Sequence, residues 1–228
     1  MELKSTQDSN ILISVIITCF NLEKHIGRAI NSCINQTLSD DRYEIIVVDD
    51  CSIDGSWEVI SQFSGLVNSA RLEKNSGVSA ASNKGITLSS GKYIVRVDGD
   101  DFINKNFLFT LSEILEWNDD IGFVYCDHIV VNEKFERKQS LNTLDVLLDH
   151  GAGIMFRKRY LESIGLYDES LRNREDYDLI LRYIKNFNGY HLRLPYYRYF
   201  KRSGSLSSKT KERQSLKKKI DEDQNVTS

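Results

Sequence analysis

Tyr93-Ile94-Val95-Arg96-Val97 runs directly into Asp98-Gly99-Asp100-Asp101. The first five residues read as a buried strand. The next four place three carboxylates within four positions at its end. Charges that close repel, and a divalent cation with hard oxygen ligands would offset the repulsion. Gly99 permits a tight turn that aims two carboxylates at one point. The other reading is an acidic surface turn in which Asp101 or Asn104 caps the next helix. The segment by itself leaves both open.

Upstream, the same pattern of strand followed by polar loop recurs. Leu12–Thr18 leads into Thr18-Cys19-Phe20-Asn21, Glu44–Val48 into Asp49-Asp50-Cys51-Ser52, and Ala70–Glu73 into Asn75-Ser76-Gly77. Helical patterns lie between. Leu22–Gln36 carries Ile26, Ile30 and Ile34 on one face, Asp54 caps a helix through Trp57, Ile60 and Phe63, and Val78–Leu88 is a small-residue helix. Alternating β and α units with strands apolar on both faces predict an α/β fold with a mostly parallel sheet covered by helices. Ligands of such sheets bind beyond the carboxyl ends of the strands, where these polar groups converge. A G-x-G-x-x-G and a P-loop are both absent, which excludes the usual dinucleotide and triphosphate loops. Phe20 is placed either to stack on a base or to pack. Asp50 is placed either to accept from a base N–H or to hold a turn.

Downstream the pattern is less regular. Helices are expected over Phe107–Trp117, Arg157–Ile164 and Asp176–Asn186, the last with Leu179, Ile180 and Tyr183 on one side. Strands are expected over Gly122–Cys126, Ile129–Asn132, Gly153–Phe156, Tyr190–Leu194 and Tyr196–Phe200. Asn173-Arg174-Glu175-Asp176-Tyr177-Asp178-Leu179 puts acids just before a helix. They are there as charge favoured by the helix dipole, or as a general base at a pocket mouth.

The chain has 228 residues, 40% hydrophobic and 28% charged, which is ordinary globular usage. General disorder, a coiled coil and a collagen-like fibre are excluded. No apolar run approaches the ~20 residues that span a bilayer, and the polar Met1–Asn10 carries no secretory pattern. Cys19, Cys33, Cys51 and Cys126 lie singly, so neither a zinc ribbon nor a disulfide framework is expected, and reduced thiols in the cytoplasm are. Arg198–Ser228 holds nine Lys and Arg against four Asp and Glu, while the remainder is acid-rich. An acidic body is a poor partner for nucleic acid. The basic end, with Lys209, Lys211, Arg213, Lys217, Lys218 and Lys219, is read as a solvated helix or as a contact for an anionic membrane surface. Leu206, Leu216 and Ile220 would form its apolar side.

From Ile13 to Ser207 the chain resembles an inverting family-2 glycosyltransferase of the GT-A fold. The resemblance rests on Ser14-Val15-Ile16-Ile17-Thr18-Cys19-Phe20-Asn21, Ile46-Val47-Val48-Asp49-Asp50-Cys51-Ser52, Asn75-Ser76-Gly77, Asn83-Lys84-Gly85-Ile86, Gly91-Lys92-Tyr93-Ile94, Asp98-Gly99-Asp100-Asp101, Ile164-Gly165-Leu166-Tyr167-Asp168-Glu169 and Glu175-Asp176-Tyr177-Asp178-Leu179, in the family's order. It implies one GT-A domain over 1–207, with a nucleotide-sugar half over about 11–101 and a smaller acceptor half over about 102–207, and a basic tail or helix over 208–228. It further implies that Thr18, Phe20, Asn21, Asp50 and Gly77 serve the nucleotide. Asp98 would lie near the ribose and the metal, and Asp100 with Asp101 would hold Mn²⁺ or Mg²⁺ on the donor diphosphate. Asp176 would be the catalytic base, and Glu175 and the Gly151-Ala152-Gly153 loop would border the acceptor.

The implied donor is a nucleotide-diphosphate sugar, a UDP-sugar by the family's habit. The implied acceptor is a glycan or lipid-linked molecule of surface polysaccharide or lipooligosaccharide assembly, met in the cytoplasm or at the inner face of the membrane. Three departures stand out, one of them a short acceptor part. Ser82 replaces an arginine common in relatives, and Phe200 follows Tyr197-Arg198-Tyr199 where relatives often carry a histidine, leaving Lys201 or Arg202 to substitute. A sugar nucleotidyltransferase and a non-catalytic nucleotide-binding module are the competing readings.

Overall fold

The computed structural model describes residues 11–140, 147–148, 151–202 and 210–223. Strand β1 (Ile13–Cys19) is buried at every position because it is paired on both sides and covered on both faces. It runs parallel to β2 (Tyr43–Asp49) and β4 (Tyr93–Asp98), and β2 runs parallel to β3 (Asn68–Arg71). Helices α1 (Ile26–Ile34), α2 (Ser56–Ser61) and α3 (Val78–Leu88) make the crossovers. This half follows the expected order, and α3 has the expected bounds. The helix expected from Leu22 begins at Ile26, because Leu22 accepts hydrogen bonds from the amides of His25 and Ile26 in a preceding turn.

The second half extends the same sheet in the order β3-β2-β1-β4-β8-β6-β9-β5, with β7 on β6. Strand β5 (Phe102–Ile103) pairs antiparallel with β9 (Asn188–Lys201). Strand β8 (Ile154–Arg157) is antiparallel between β4 and β6 (Ile121–Asn132), and β6 is parallel to β9. Strand β7 (Arg137–Ser140) lines the outer part of β6. The two strands expected within 122–132 are one, and so are the two within 190–200. Each stays continuous through an irregularity: the register shifts at Cys126, Asp127 and His128, where Pro195 sits opposite Asp127. Proline has no N–H for the ladder and is accommodated at such a shift. Strands β5 and β7 were not expected, since two residues and a charged tetrapeptide carry no periodic signal.

One apolar layer packs α1 and α4 (Phe107–Glu116) against Val15, Ile17, Val95 and Val97. The other packs α5 (Lys158–Ser163) and α6 (Glu175–Ile184) against Ile16, Ile94, Phe123 and Phe156. The terminal α7 (Thr210–Asp223) lies on α6. Ile220 is buried against Tyr177 and Leu181, Lys217 stands 4.8 Å over the Tyr177 ring, and the Tyr177 hydroxyl donates to Asp221. Ile220 is therefore spent on the protein and is not part of a membrane-facing apolar side. Leu206 and Lys209, and the side chains of Lys211 and Arg213, lie outside the described residues. No helix among the described residues is long and apolar enough to cross a membrane.

Candidate active site

The carboxyl ends of β1, β2 and β4 meet along one edge. Thr18 lies opposite Asp98 in register, and its Oγ1 is 3.5 Å from Asp98 Oδ1. The Gly99 amide donates to the Thr18 carbonyl at 2.9 Å, and a Cβ on Gly99 would fall 2.7 Å from that oxygen. The glycine is needed for close approach of two strand ends, while its φ is not in the left-handed region. Phe20 stands 41% exposed at the mouth. Asn21 has a left-handed φ of 53°, takes the Ile53 N–H at 2.9 Å through its side-chain oxygen, and gives its own amide to Ser52 Oγ. Its side-chain carbonyl thus ties together the loops after β1 and β2. Asp50 is buried and accepts from the amides of Ser76 at 2.6 Å and Gly77 at 2.8 Å. Burial raises its pKa and those two amides restrain the rise.

The three aspartates after β4 separate into different environments. Asp98 is the most open, 36% exposed, with Arg96 Nε at 3.2 Å. Asp100 pairs with Arg202 Nε at 2.6 Å, and its backbone carbonyl takes Arg28 Nη2 at 2.6 Å. Burial and Asp98 raise its pKa, and Arg202 lowers it. Asp101 turns inward. It accepts from the Tyr197 hydroxyl at 2.8 Å and the Phe200 amide at 2.7 Å, and burial with Asp100 and Asp98 holds its pKa well above the usual carboxylate range. Asp101, expected with Asp100 at a metal, thus has a protein donor on each of its oxygens. No group of three His, Cys, Asp or Glu among the described residues is arranged for a metal. Asp98 and Asp100 are each ion-paired to an arginine, Arg96 and Arg202, and their hard oxygens are of the type that suits Mg²⁺ completed by waters and substrate phosphates. Of the two residues expected to replace the missing histidine, Arg202 reaches Asp100, while the side chain of Lys201 is exposed. Ser82 is buried in α3.

Facing Asp98 across a short gap are Glu175 and Asp176, in the first turn of α6. The link is Arg96. Its Nη2 donates to Asp176 at 2.7 Å and its Nη1 to Glu175 at 3.3 Å. Burial pushes Asp176 up to about 8 against the pull of Arg96, with Glu175 and Asp98 adding to the rise. Burial also opposes charge on Arg96, but Asp176, Asp98 and Glu175 hold it well above its ordinary value. Gly151, with φ +61°, lies on Asp176: a Cβ there would fall 2.3 Å from Asp176 Cγ. Gly153 faces inward instead, towards Cys126 Sγ and Tyr197.

The family model described as Glycosyl transferase family 2 matches residues 14–194. The chain belongs to this family. A glycosyltransferase of Haemophilus influenzae is 28% identical over 87% of this chain and 72% of its own length. The structure of Staphylococcus aureus TarS in complex with UDP-GlcNAc matches 87% of this chain and 61% of its own, with 24% identity and a TM-score of 0.75. The mannosyltransferase PcManGT of Pyrobaculum calidifontis, in complex with GDP-Man and Mn²⁺, matches 82% of this chain and 56% of its own, with 16% identity and a TM-score of 0.68. Several other curated glycosyltransferases match over only 16 to 30% of their own length. The fold is GT-A, with a mixed sheet whose β3-β2-β1-β4 half is wholly parallel.

The structure brings Asp98, Glu175 and Asp176 together around Arg96, while Asp101 bonds to Tyr197 and Phe200, Asn21 to Ile53 and Ser52, and Gly153 faces Cys126 and Tyr197. The sequence reading missed Arg96. Its signal was present: Ile94, Arg96 and Asp98 alternate onto one face of β4, so a charge was bound to face the sheet side where α6 packs.

Proposed function

We propose that this family-2 glycosyltransferase moves a sugar from a nucleotide-diphosphate sugar, a UDP-sugar, to a hydroxyl of a glycan or lipid-linked acceptor with inversion. The observation that carries this reading is that one guanidinium, Arg96, bridges Asp176 and Asp98, at 2.7 and 3.2 Å. A buried carboxylate thus faces the strand end where a diphosphate would lie. Thr18, Phe20 and Asp50 would line the base pocket, with Gly77 and Asn21 shaping its loops. Asp98 would lie near the ribose and cation, and Asp100 would hold the cation after release from Arg202. A bound Mn²⁺ or Mg²⁺ would neutralise charge developing on the leaving diphosphate.

Asp176 would accept the proton of the acceptor hydroxyl as its oxygen attacks the anomeric carbon. The bond to the diphosphate breaks in the same displacement, so an α-linked donor gives a β-linked product without a covalent enzyme intermediate. Glu175 and the loop of Gly151 would border the acceptor. The same reading treats 1–207 as one transferase domain and 208–228 as a basic extension. It places the enzyme in the cytoplasm, peripheral to the membrane through the exposed side of α7 at Lys218. UDP-GlcNAc in TarS supports a UDP-sugar donor, and GDP-Man with Mn²⁺ in PcManGT makes the nucleotide the point to test.

Thermal unfolding with UDP, GDP and other nucleoside diphosphates, with and without Mn²⁺, tests it. A shift with UDP that requires Mn²⁺ is expected, followed by UDP release from a UDP-sugar that Asp176→Asn abolishes. A preference for GDP would replace the donor, and no shift with any nucleotide would remove the transferase site.

A further inference from the structure

Arg96 touches the carboxylates of both halves of the proposed site. Its Nε faces Asp98, its Nη1 Glu175 and its Nη2 Asp176, at 3.2, 3.3 and 2.7 Å. Only 10% of the side chain is exposed, and its guanidinium lies 5.3 Å from the centre of the Tyr167 ring. A guanidinium is planar with fixed N–H directions, so it sets the angle of each acceptor, whereas an ammonium is a rotatable point charge. Asp98 belongs to β4, whose end forms the nucleotide edge, and Glu175 and Asp176 belong to α6.

We propose that Arg96 is a positioning residue that aims Asp176 for proton transfer and ties that aim to the state of Asp98. Three carboxylates share one positive charge here. A ligand that engages Asp98 therefore changes the share of the guanidinium left to Glu175 and Asp176. Asp176 has two rotatable side-chain bonds, and its Oδ2 is fixed by the shortest of the three contacts. A displacement near 1 Å at a reacting group costs about 100-fold in rate, so losing the fork would cost turnover rather than nucleotide affinity. This inference rests on the reading of Asp176 as the base.

The test uses the full chain with Mn²⁺ and the nucleotide sugar whose nucleotide gives the largest thermal shift. UDP or GDP release, with water as the acceptor, is followed to obtain kcat and donor KM, and calorimetry gives nucleotide affinity. Arg96→Lys keeps the charge and removes the fork. It is expected to lower kcat roughly 10- to 100-fold while nucleotide affinity stays within about three-fold. Arg96→Gln combined with Asp176→Asn is expected to be no slower than Asp176→Asn alone, because residues acting through one another are not additive. Wild-type kcat in Arg96→Lys, a loss confined to nucleotide affinity, or a double variant slower by the full Arg96→Gln factor would each overturn the inference. If Arg96→Gln does not fold, Arg96→Lys decides alone. Wild-type turnover in Asp176→Asn, or no nucleotide binding and release by the unaltered chain, would remove the transferase reading itself and is separate from the Arg96 result.

Discussion

At the scale of single residues, Asp176 carries the most consequence. It is held by Arg96 and faces Glu175 and Asp98, and burial pushes it up to about 8. A base must be ionised to accept a proton, so kcat/KM of the transferase should rise with pH to a midpoint near 8, as a rate profile will show. Asp176→Asn should remove that limb and lower turnover by about 10²- to 10⁴-fold with nucleotide affinity nearly unchanged. The same group affects stability. Its folded value lies above its unfolded one, so the native state binds the extra proton between about pH 4 and pH 8. The stability it contributes is present below that window and is lost as pH rises through it. Urea unfolding across this range should show a shallower decline in Asp176→Asn than in the unaltered chain. Asp100 makes a different prediction. Asp100→Ala should weaken Mn²⁺-dependent nucleotide binding and leave Mn²⁺-independent binding in place. An unchanged Mn²⁺ dependence would contradict its proposed role.

At the scale of elements, the loop before β8 and the helix α7 carry the next two tests. Gly151 combines a φ of +61° with a Cβ direction that ends 2.3 Å from Asp176 Cγ. Gly151→Ala must shift the loop or Asp176. It is expected to cost about 1–3 kcal/mol in urea unfolding and to lower turnover at least ten-fold, whereas Gly165→Ala, with a similar φ but only the end of Arg182 within 4 Å, should cost stability alone. Ile220 anchors α7 on Tyr177 and Leu181. Ile220→Ala should cost about 2–3 kcal/mol if unfolding is cooperative through α7. Hydrogen exchange should then show faster amides in α7 before any change in β1. Continuity of β6 and β9 through Asp127 and Pro195 is also an element-scale fact. It is set by the partner strand, which supplies the hydrogen bonds on either side of the irregularity.

At the scale of the molecule, the end of β4 and α6 are joined through Arg96, so the proposed donor binding would be linked to fold stability. A ligand at a hundred times its dissociation constant adds about 2.7 kcal/mol, which for a chain of this size is roughly 5–10 °C in the unfolding midpoint. That shift should appear with Mn²⁺ and nucleotide together and shrink in Asp98→Ala. The sequence alone determined the alternating first half, the edge on which polar groups gather and the family, because those follow from local periodicity and from motifs in a fixed order. Val78–Leu88 and Ile13–Cys19 were legible for that reason, as were Thr18, Asp50, Asp98 and Asp176 as candidates. Tertiary structure alone decided which of three neighbouring aspartates stays open to solvent and which is buried. Asp101 turned inward because Tyr197 and the Phe200 amide, almost a hundred residues later in the chain, supply its donors. It also decided that Arg96 holds Asp176, and that β6 and β9 are single strands. Each of these depends on a partner distant in sequence, and a carboxylate's role is set by the charges and donors packed around it rather than by its neighbours along the chain.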